Sequence, residues 1–268
     1  MIESLQTSQG FRVDFFVAGV QKGGTSALDG LLRGHPAIGM AEGKEAHFFN
    51  RDSVDWKRPD YAPYHARFEA EDPQRRVFGD ATPIYLYWPG ALARIARYNP
   101  AARFVICLRH PAHRAYSQWL MERARGKEPL PFAEAIRAPG RARLDAAPNR
   151  AHPTYSYVER GLYGDQVGEL LRLFPREAVR FVRTDRLWAE PAAVMAELQA
   201  FLGVEPRPVA ATPRYVSIPP SGGGLPIPAQ EQAFLTELLA GQIQQAQALT
   251  GIDLSDWLDP AYQEPMEA

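Results

Sequence analysis

The stretch Gly19-Val20-Gln21-Lys22-Gly23-Gly24-Thr25-Ser26 has the composition of an anion cradle. Glycines let the backbone approach a ligand and turn its amides inward. A helix opening behind them offers unpaired N–H groups and a partial positive charge. Lys22 adds a full charge, and Thr25 and Ser26 add hydroxyl donors at the first helical turn. Gly19 and Gly24 keep the GxxxxG spacing of a nucleoside-triphosphate loop, but Thr25-Ser26 stands where that motif requires Lys followed by Ser or Thr. The lysine sits mid-loop instead. No strand ends in an aspartate placed to hold magnesium; Leu108 leads into Arg109, a cation. A phosphate loop without a metal ligand points to transfer of a different group.

Two more clusters carry chemistry. Arg109 follows the apolar run Arg103–Leu108, and in open parallel sheets ligands sit beyond the carboxyl ends of strands. Arg109 should therefore face the crevice of the glycine loop, and Ser117, eight residues on, can add a hydroxyl to the same anion. The pair reads as a second phosphate site, so the ligand has two separated anionic ends. In Glu42-Gly43-Lys44-Glu45-Ala46-His47-Phe48-Phe49, Glu45 and His47 share a side if the segment is extended, with Phe48 and Phe49 as anchors. A carboxylate or imidazole there can take a proton from an acceptor hydroxyl. A surface charge pair beside an aromatic cluster is the alternative.

The elements that must hold these groups alternate between strand and helix. Val13–Gly19 reads as a buried strand ended by glycine, and Thr25–Arg33 as a helix with Ala27, Leu28, Leu31 and Leu32 on one side. Strands follow at Val77–Gly79, Arg103–Leu108 and Val179–Val182, the second continuously apolar as a strand covered on both faces must be. Helices are expected from about Pro89 to Tyr98, from Pro111 to about Arg125, from Pro191 to Leu202 and over about 229–250. The fold class is α/β: one three-layer domain whose mainly parallel sheet is flanked by helices, like a P-loop nucleotide kinase. Its core spans about 11–205. Two proline-rich stretches, about 126–153 and 206–228, read as lids over the site.

Composition bounds the rest. The chain has 268 residues, 46% of them hydrophobic, which suits one globular domain with a sizeable core. A net charge of −1 argues against bulk nucleic-acid binding. Cys107, alone of its kind, lies in an apolar run and reads as a buried, inert thiol. Neither a spanning helix nor a basic, apolar leader is visible, so a cytoplasmic location is expected.

The phrases VAGVQKGGTSALDGLLRGHP, KEAHFF, GDATPIYLY and FVICLRHPAHRAYSQW occur in that order from about Val13 to Trp119. Together they resemble the sulfotransferases that use 3′-phosphoadenosine-5′-phosphosulfate (PAPS), nearest the heparan-sulfate (glucosaminyl) type and its bacterial relatives. The likeness returns more faintly at Glu159-Arg160-Gly161-Leu162-Tyr163 and in FVRTDRLWAEPAAVMAELQAFLGV. The resemblance implies that Lys22, Gly23, Gly24, Thr25 and Ser26 hold the 5′-phosphosulfate, and that Arg109 and Ser117 hold the 3′-phosphate. It implies Glu45 as general base with His47 as an active-site neighbour, and adenosine 3′,5′-bisphosphate (PAP) as product with no metal required. A small-molecule or glycan acceptor would take the sulfuryl group.

Two departures stand out. The heparan type has a lysine before its Thr-Pro pair, where this chain has Ala81. Its late Lys-Gly loop is replaced by Ser221-Gly222-Gly223-Gly224, with Arg214 as the nearest substitute cation. Both bear on the acceptor more than on the donor. A metal-dependent kinase, or a nucleotide-binding module without chemistry, are the competing function classes.

Overall fold

In the computed structural model, residues 10–208 and 226–265 are described. The element order is β1 (Phe15–Gly19), α1 (Thr25–Arg33), β2 (Ile38–Met40), α2 (Ala62–His65), β3 (Val77–Asp80), α3 (Ala91–Tyr98), β4 (Arg103–Leu108) and α4 (Pro111–Ala124). It continues with α5 (Phe132–Ala135), α6 (Ala138–Arg141), α7 (Tyr163–Leu173), β5 (Val179–Arg183), α8 (Thr184–Ala189), α9 (Pro191–Leu202) and α10 (Ala229–Thr250). The strands pair in parallel in the order β2-β3-β1-β4-β5. Successive side chains of a strand face opposite ways, and β1 shows it. Phe15 and Val17 pack with Leu28, Leu32, Val194 and Leu198, from α1 and α9. Phe16 and Ala18 pack on the other face with Leu92, Ile95, Leu170 and Ile243, from α3, α7 and α10. The molecule is a single α/β domain of three layers.

This strand order has one place where neighbouring connections leave in opposite directions. From β1 the chain crosses to the β2 edge, and from β4 it crosses to β5. The crevice between the ends of β1 and β4 is the topological switch point, where ligands bind in such sheets. The register of β1 on β4 shifts between Val17 and Gly19, at the entry to the glycine loop.

β2, α2, α7 and α8 were not read from the sequence, nor was the structure within 126–153 beyond a short amphipathic piece near Phe132–Ile136. β2 has only three residues with Gly39 at its centre, too short to show alternation. Stretch 126–153 has a loop's composition but contains α5, α6 and single 3₁₀ turns. Glu128 closes it, accepting hydrogen bonds from Arg143 at 2.9 and 3.0 Å, the Leu130 amide at 2.8 Å and the Tyr157 hydroxyl at 2.9 Å. Of stretch 206–228, residues 209–225 lie outside the described residues, and with them Arg214 and Ser221-Gly222-Gly223-Gly224.

Beyond β3 the GDATP phrase forms a buried polar hub. Asp80, with no exposure, accepts hydrogen bonds from the hydroxyls of Thr82 (2.6 Å), Tyr64 (3.0 Å) and Tyr85 (3.0 Å). Burial pushes its carboxyl above the ordinary aspartate range, and these hydroxyls pull it partly back. Thr82 and Tyr85 then accept the amides of Ala46 (3.0 Å) and Phe48 (2.9 Å), fixing the Glu45–His47 segment. Asp80→Asn keeps the shape but turns an acceptor into a donor facing hydroxyl donors. It should lower unfolding stability by about 2 kcal/mol; an unchanged urea midpoint would remove the hub.

Candidate active site

The glycine loop is held from below. Val20 N–H donates to the Cys107 carbonyl (2.9 Å), and Gly23 N–H to that of Val20 (2.9 Å). The Thr184 hydroxyl, at the end of β5, reaches the carbonyls of Gly23 (2.9 Å) and Leu108 (3.0 Å), tying the loop to two strands. A Cβ at Gly23 would stand 2.6 Å from the Cys107 carbonyl, and Gly24 has φ +85°. Both positions therefore demand glycine. Lys22 itself has φ 69°, a costly left-handed conformation for a residue with a side chain. The loop delivers the chain into α1 at Thr25, whose first-turn amides are left without intrahelical acceptors.

Arg109 stands at the end of β4 and meets the loop directly, donating from Nη1 to the Lys22 carbonyl at 3.0 Å. Lys44 approaches from the other side, with Nζ 3.3 Å from Thr25 Oγ1 and 3.0 Å from Ser26 Oγ. Cations thus gather where the loop opens. Burial, followed by the positive charges of Arg109, Arg125 and Lys44, lowers the Lys22 ammonium to about 8, against a smaller opposing effect of Glu122. Such mutual repulsion is relieved when an anion joins the group. One carboxylate already does so: Glu264, beyond α10, pairs with Arg109 through two contacts of 2.6 Å.

Glu45 and His47 do come together, though not as alternate residues of an extended segment. His47 has φ 51°, and the turn brings its Nε2 to 3.3 Å from Glu45 Oε2. Lys44 Nζ lies 3.8 Å from the other carboxylate oxygen. Arg67 braces this turn through the carbonyls of Glu42, Gly43 and Ala46, at 2.7 to 3.2 Å. Phe48 and Phe49 are buried, Phe48 stacking on Tyr64 with centroids 4.9 Å apart. Ser117 is buried on α4, and among the described residues no hydrogen bond joins it to the other predicted residues. Ala81 packs in the apolar cluster beneath α1, so that position supplies no cation. The Cys107 thiol has no exposure, and burial raises it to about 12.

Three basic residues at or behind the site escaped sequence reading. Lys44 was visible in its motif, but its reach to the α1 hydroxyls depends on the turn. Arg114 and Arg160 are buried, at 0% and 3% exposure, without a carboxylate within 4 Å among the described residues. Arg114 donates to Gln118 (2.8 Å) and the Tyr157 carbonyl. Arg160 donates to Gln21 of the glycine loop and to the Pro153 carbonyl (2.8 Å), and its guanidinium lies over the Tyr87 ring. Burial first, then Arg114, brings Arg160 down to about 10. The sequence signal for these two was their place in quoted phrases, Arg114 in FVICLRHPAHRAYSQW and Arg160 in Glu159-Arg160-Gly161-Leu162-Tyr163. No group of three His, Cys, Asp or Glu side chains able to hold a metal occurs among the described residues.

Comparison with known proteins gives a consistent answer. The family model of the sulfotransferase domain matches residues 12–215. Heparan sulfate glucosamine 3-O-sulfotransferase 3B1 of Homo sapiens is 30% identical over 192 residues, covering 70% of this chain and 45% of that protein. The 3A1 enzyme of Mus musculus is 29% identical over the same shares. The chain spans about half the length of the curated relatives it matches. A crystal structure of a sulfotransferase from Alicyclobacillus acidocaldarius has TM-score 0.76 and 29% identity, covering 92% of this chain and 99% of that one. The sulfotransferase domain of the Synechococcus PCC 7002 olefin synthase, 15% identical with TM-score 0.53, shares the fold. A cation-lined glycine loop at the switch point of a parallel sheet, set beside this match over most of the sequence, places the chain in the sulfotransferase family.

Proposed function

We propose that this sulfotransferase takes its sulfuryl group from PAPS, delivers it to a hydroxyl of a sugar, lipid-linked or small natural-product acceptor, and releases PAP. The observation that supports this reading is the meeting of Lys22, Lys44 and Arg109 at one crevice. The loop amides, Thr25 and Ser26 hold the 5′-phosphosulfate, while Arg109, with Ser117 behind it, holds the 3′-phosphate. The acceptor oxygen attacks sulfur in line as the bond to the 5′-phosphate oxygen breaks. Charge grows on the leaving phosphate, so catalysis is mainly positioning and electrostatic, as in phosphoryl transfer. Lys22 meets that charge. Glu45 receives the acceptor proton, with His47 orienting it or serving as base in its place.

The excursion over 126–153 bears on the acceptor. Its arginines 137, 141, 143 and 150 face Glu231, Glu159, Glu128 and Asp145 at 2.8 to 3.7 Å. Cations so paired do not make a rail for a polyanion. A short or weakly charged acceptor suits this surface better than a long sulfated glycan.

Lys22→Ala should cut turnover by ~10²–10³, about 3–4 kcal/mol, in a fold that stays intact. Turnover at the wild-type rate would exclude Lys22 from the mechanism. In Glu45→Gln transfer should be abolished while PAP binding, measured by calorimetry, stays near wild type; a variant that still turns over assigns the base to His47.

The charge state of Lys22 makes a pH prediction. An anionic ligand binds the protonated ammonium better, and that form disappears above about 8. PAP affinity should therefore change little near pH 7 and fall towards tenfold per unit well above about 8, whereas below about pH 6 protonation of the nucleotide's own phosphates weakens it. Lys22→Arg, protonated throughout that range, should flatten the curve. An identical pH dependence in the two proteins would show that Lys22 does not contact the ligand.

A further inference from the structure

The contact between Glu264 and Arg109 is unlike an ordinary surface ion pair. Both carboxylate oxygens lie 2.6 Å from guanidinium nitrogens, Nε and Nη2, in the parallel fork that arginine also uses to grip phosphate. The two side chains are each 17% exposed, and His113 Nδ1 stands 3.6 Å from the same carboxylate. The segment bringing Glu264 here is docked. Tyr262 stacks on the His110 ring at 4.7 Å and 7°, and Gln232, in the first turn of α10, donates to the Tyr262 carbonyl at 2.6 Å. Just before it, Trp257 is buried at 1% exposure. Glu264 therefore reaches Arg109 from a placed support, and its carboxylate takes the fork of donors that a phosphate would need.

We propose that Glu264 is an internal competitor for the nucleotide: its carboxylate holds the Arg109 seat when the site is empty, leaves when a 3′-phosphate arrives, and returns to help expel the product. This rests on the reading of Arg109 as the seat of the 3′-phosphate. A latch closed nine-tenths of the time lowers the apparent affinity of any ligand needing that seat by about tenfold. A ligand without a 3′-phosphate makes no claim on the fork and is not taxed.

The test compares wild type with Glu264→Gln, which keeps the side chain's size and removes its charge. Adenosine 3′,5′-bisphosphate and adenosine 5′-monophosphate are titrated into each by calorimetry. The expected result is roughly tenfold tighter bisphosphate binding in the variant, with monophosphate binding unchanged. Equal or weaker bisphosphate binding in Glu264→Gln, against measurable binding in wild type, overturns the latch and leaves the donor assignment standing. Equal tightening for both nucleotides also overturns it, since the effect would then not pass through the 3′-phosphate. Failure of the bisphosphate to bind either protein overturns the assignment of the pocket and the latch with it.

Discussion

Like charges brought together out of bulk water must be compensated, and the rest of this site follows from that constraint. Lys22 and Arg109 are set by backbone, one on a loop locked to β4 and the other at the end of β4 itself. Lys44 joins them across the α1 hydroxyls, and partial burial weakens the screening of the group by solvent. Part of the repulsion is met by the Glu264 carboxylate on Arg109, and an anion reaching the loop meets the rest. That is electrostatic preorganisation in its plainest form.

Sheet topology explains why these cations, far apart in sequence, share a crevice. In the order β2-β3-β1-β4-β5 the strands ending in the glycine loop and in Arg109 are neighbours, and their connections diverge. The segment carrying Glu45 and His47 is built separately. Asp80 holds Thr82 and Tyr85, which hold the backbone carrying Glu45 and His47. The glycine loop and the Glu45–His47 turn thus depend on different buried anchors.

Much of this was legible in the chain. The strands ending at Gly19 and Leu108 are uniformly apolar and end in abrupt punctuation, and from parallel order alone Arg109 had to face the loop. Glycine and lysine at fixed offsets marked the cradle, because backbone approach and positive charge admit few substitutes. What stayed hidden depends on tertiary closure. The meeting of Glu45 and His47 relies on a left-handed turn that no alternation rule foretells. Arg114 and Arg160 stand in recognisable phrases, but a charged side chain gives no sign that packing will bury it. β2 carries too few residues to announce itself, and Glu264 meets Arg109 across a separation of 155 residues.

The Glu128 clasp has a consequence for how such a protein can diversify. It fastens the start of the 126–153 excursion to Arg143 and Tyr157, while Phe132, Ala135 and Ile136 pack with residues of α4 and α10 in a buried cluster of their own. Those three positions must stay apolar, but the turns between them and the end of the excursion can drift, lengthen or be exchanged with little disturbance to the sheet. A lineage, or an engineer, can reshape that surface while the parallel strands and the glycine loop stay as they are.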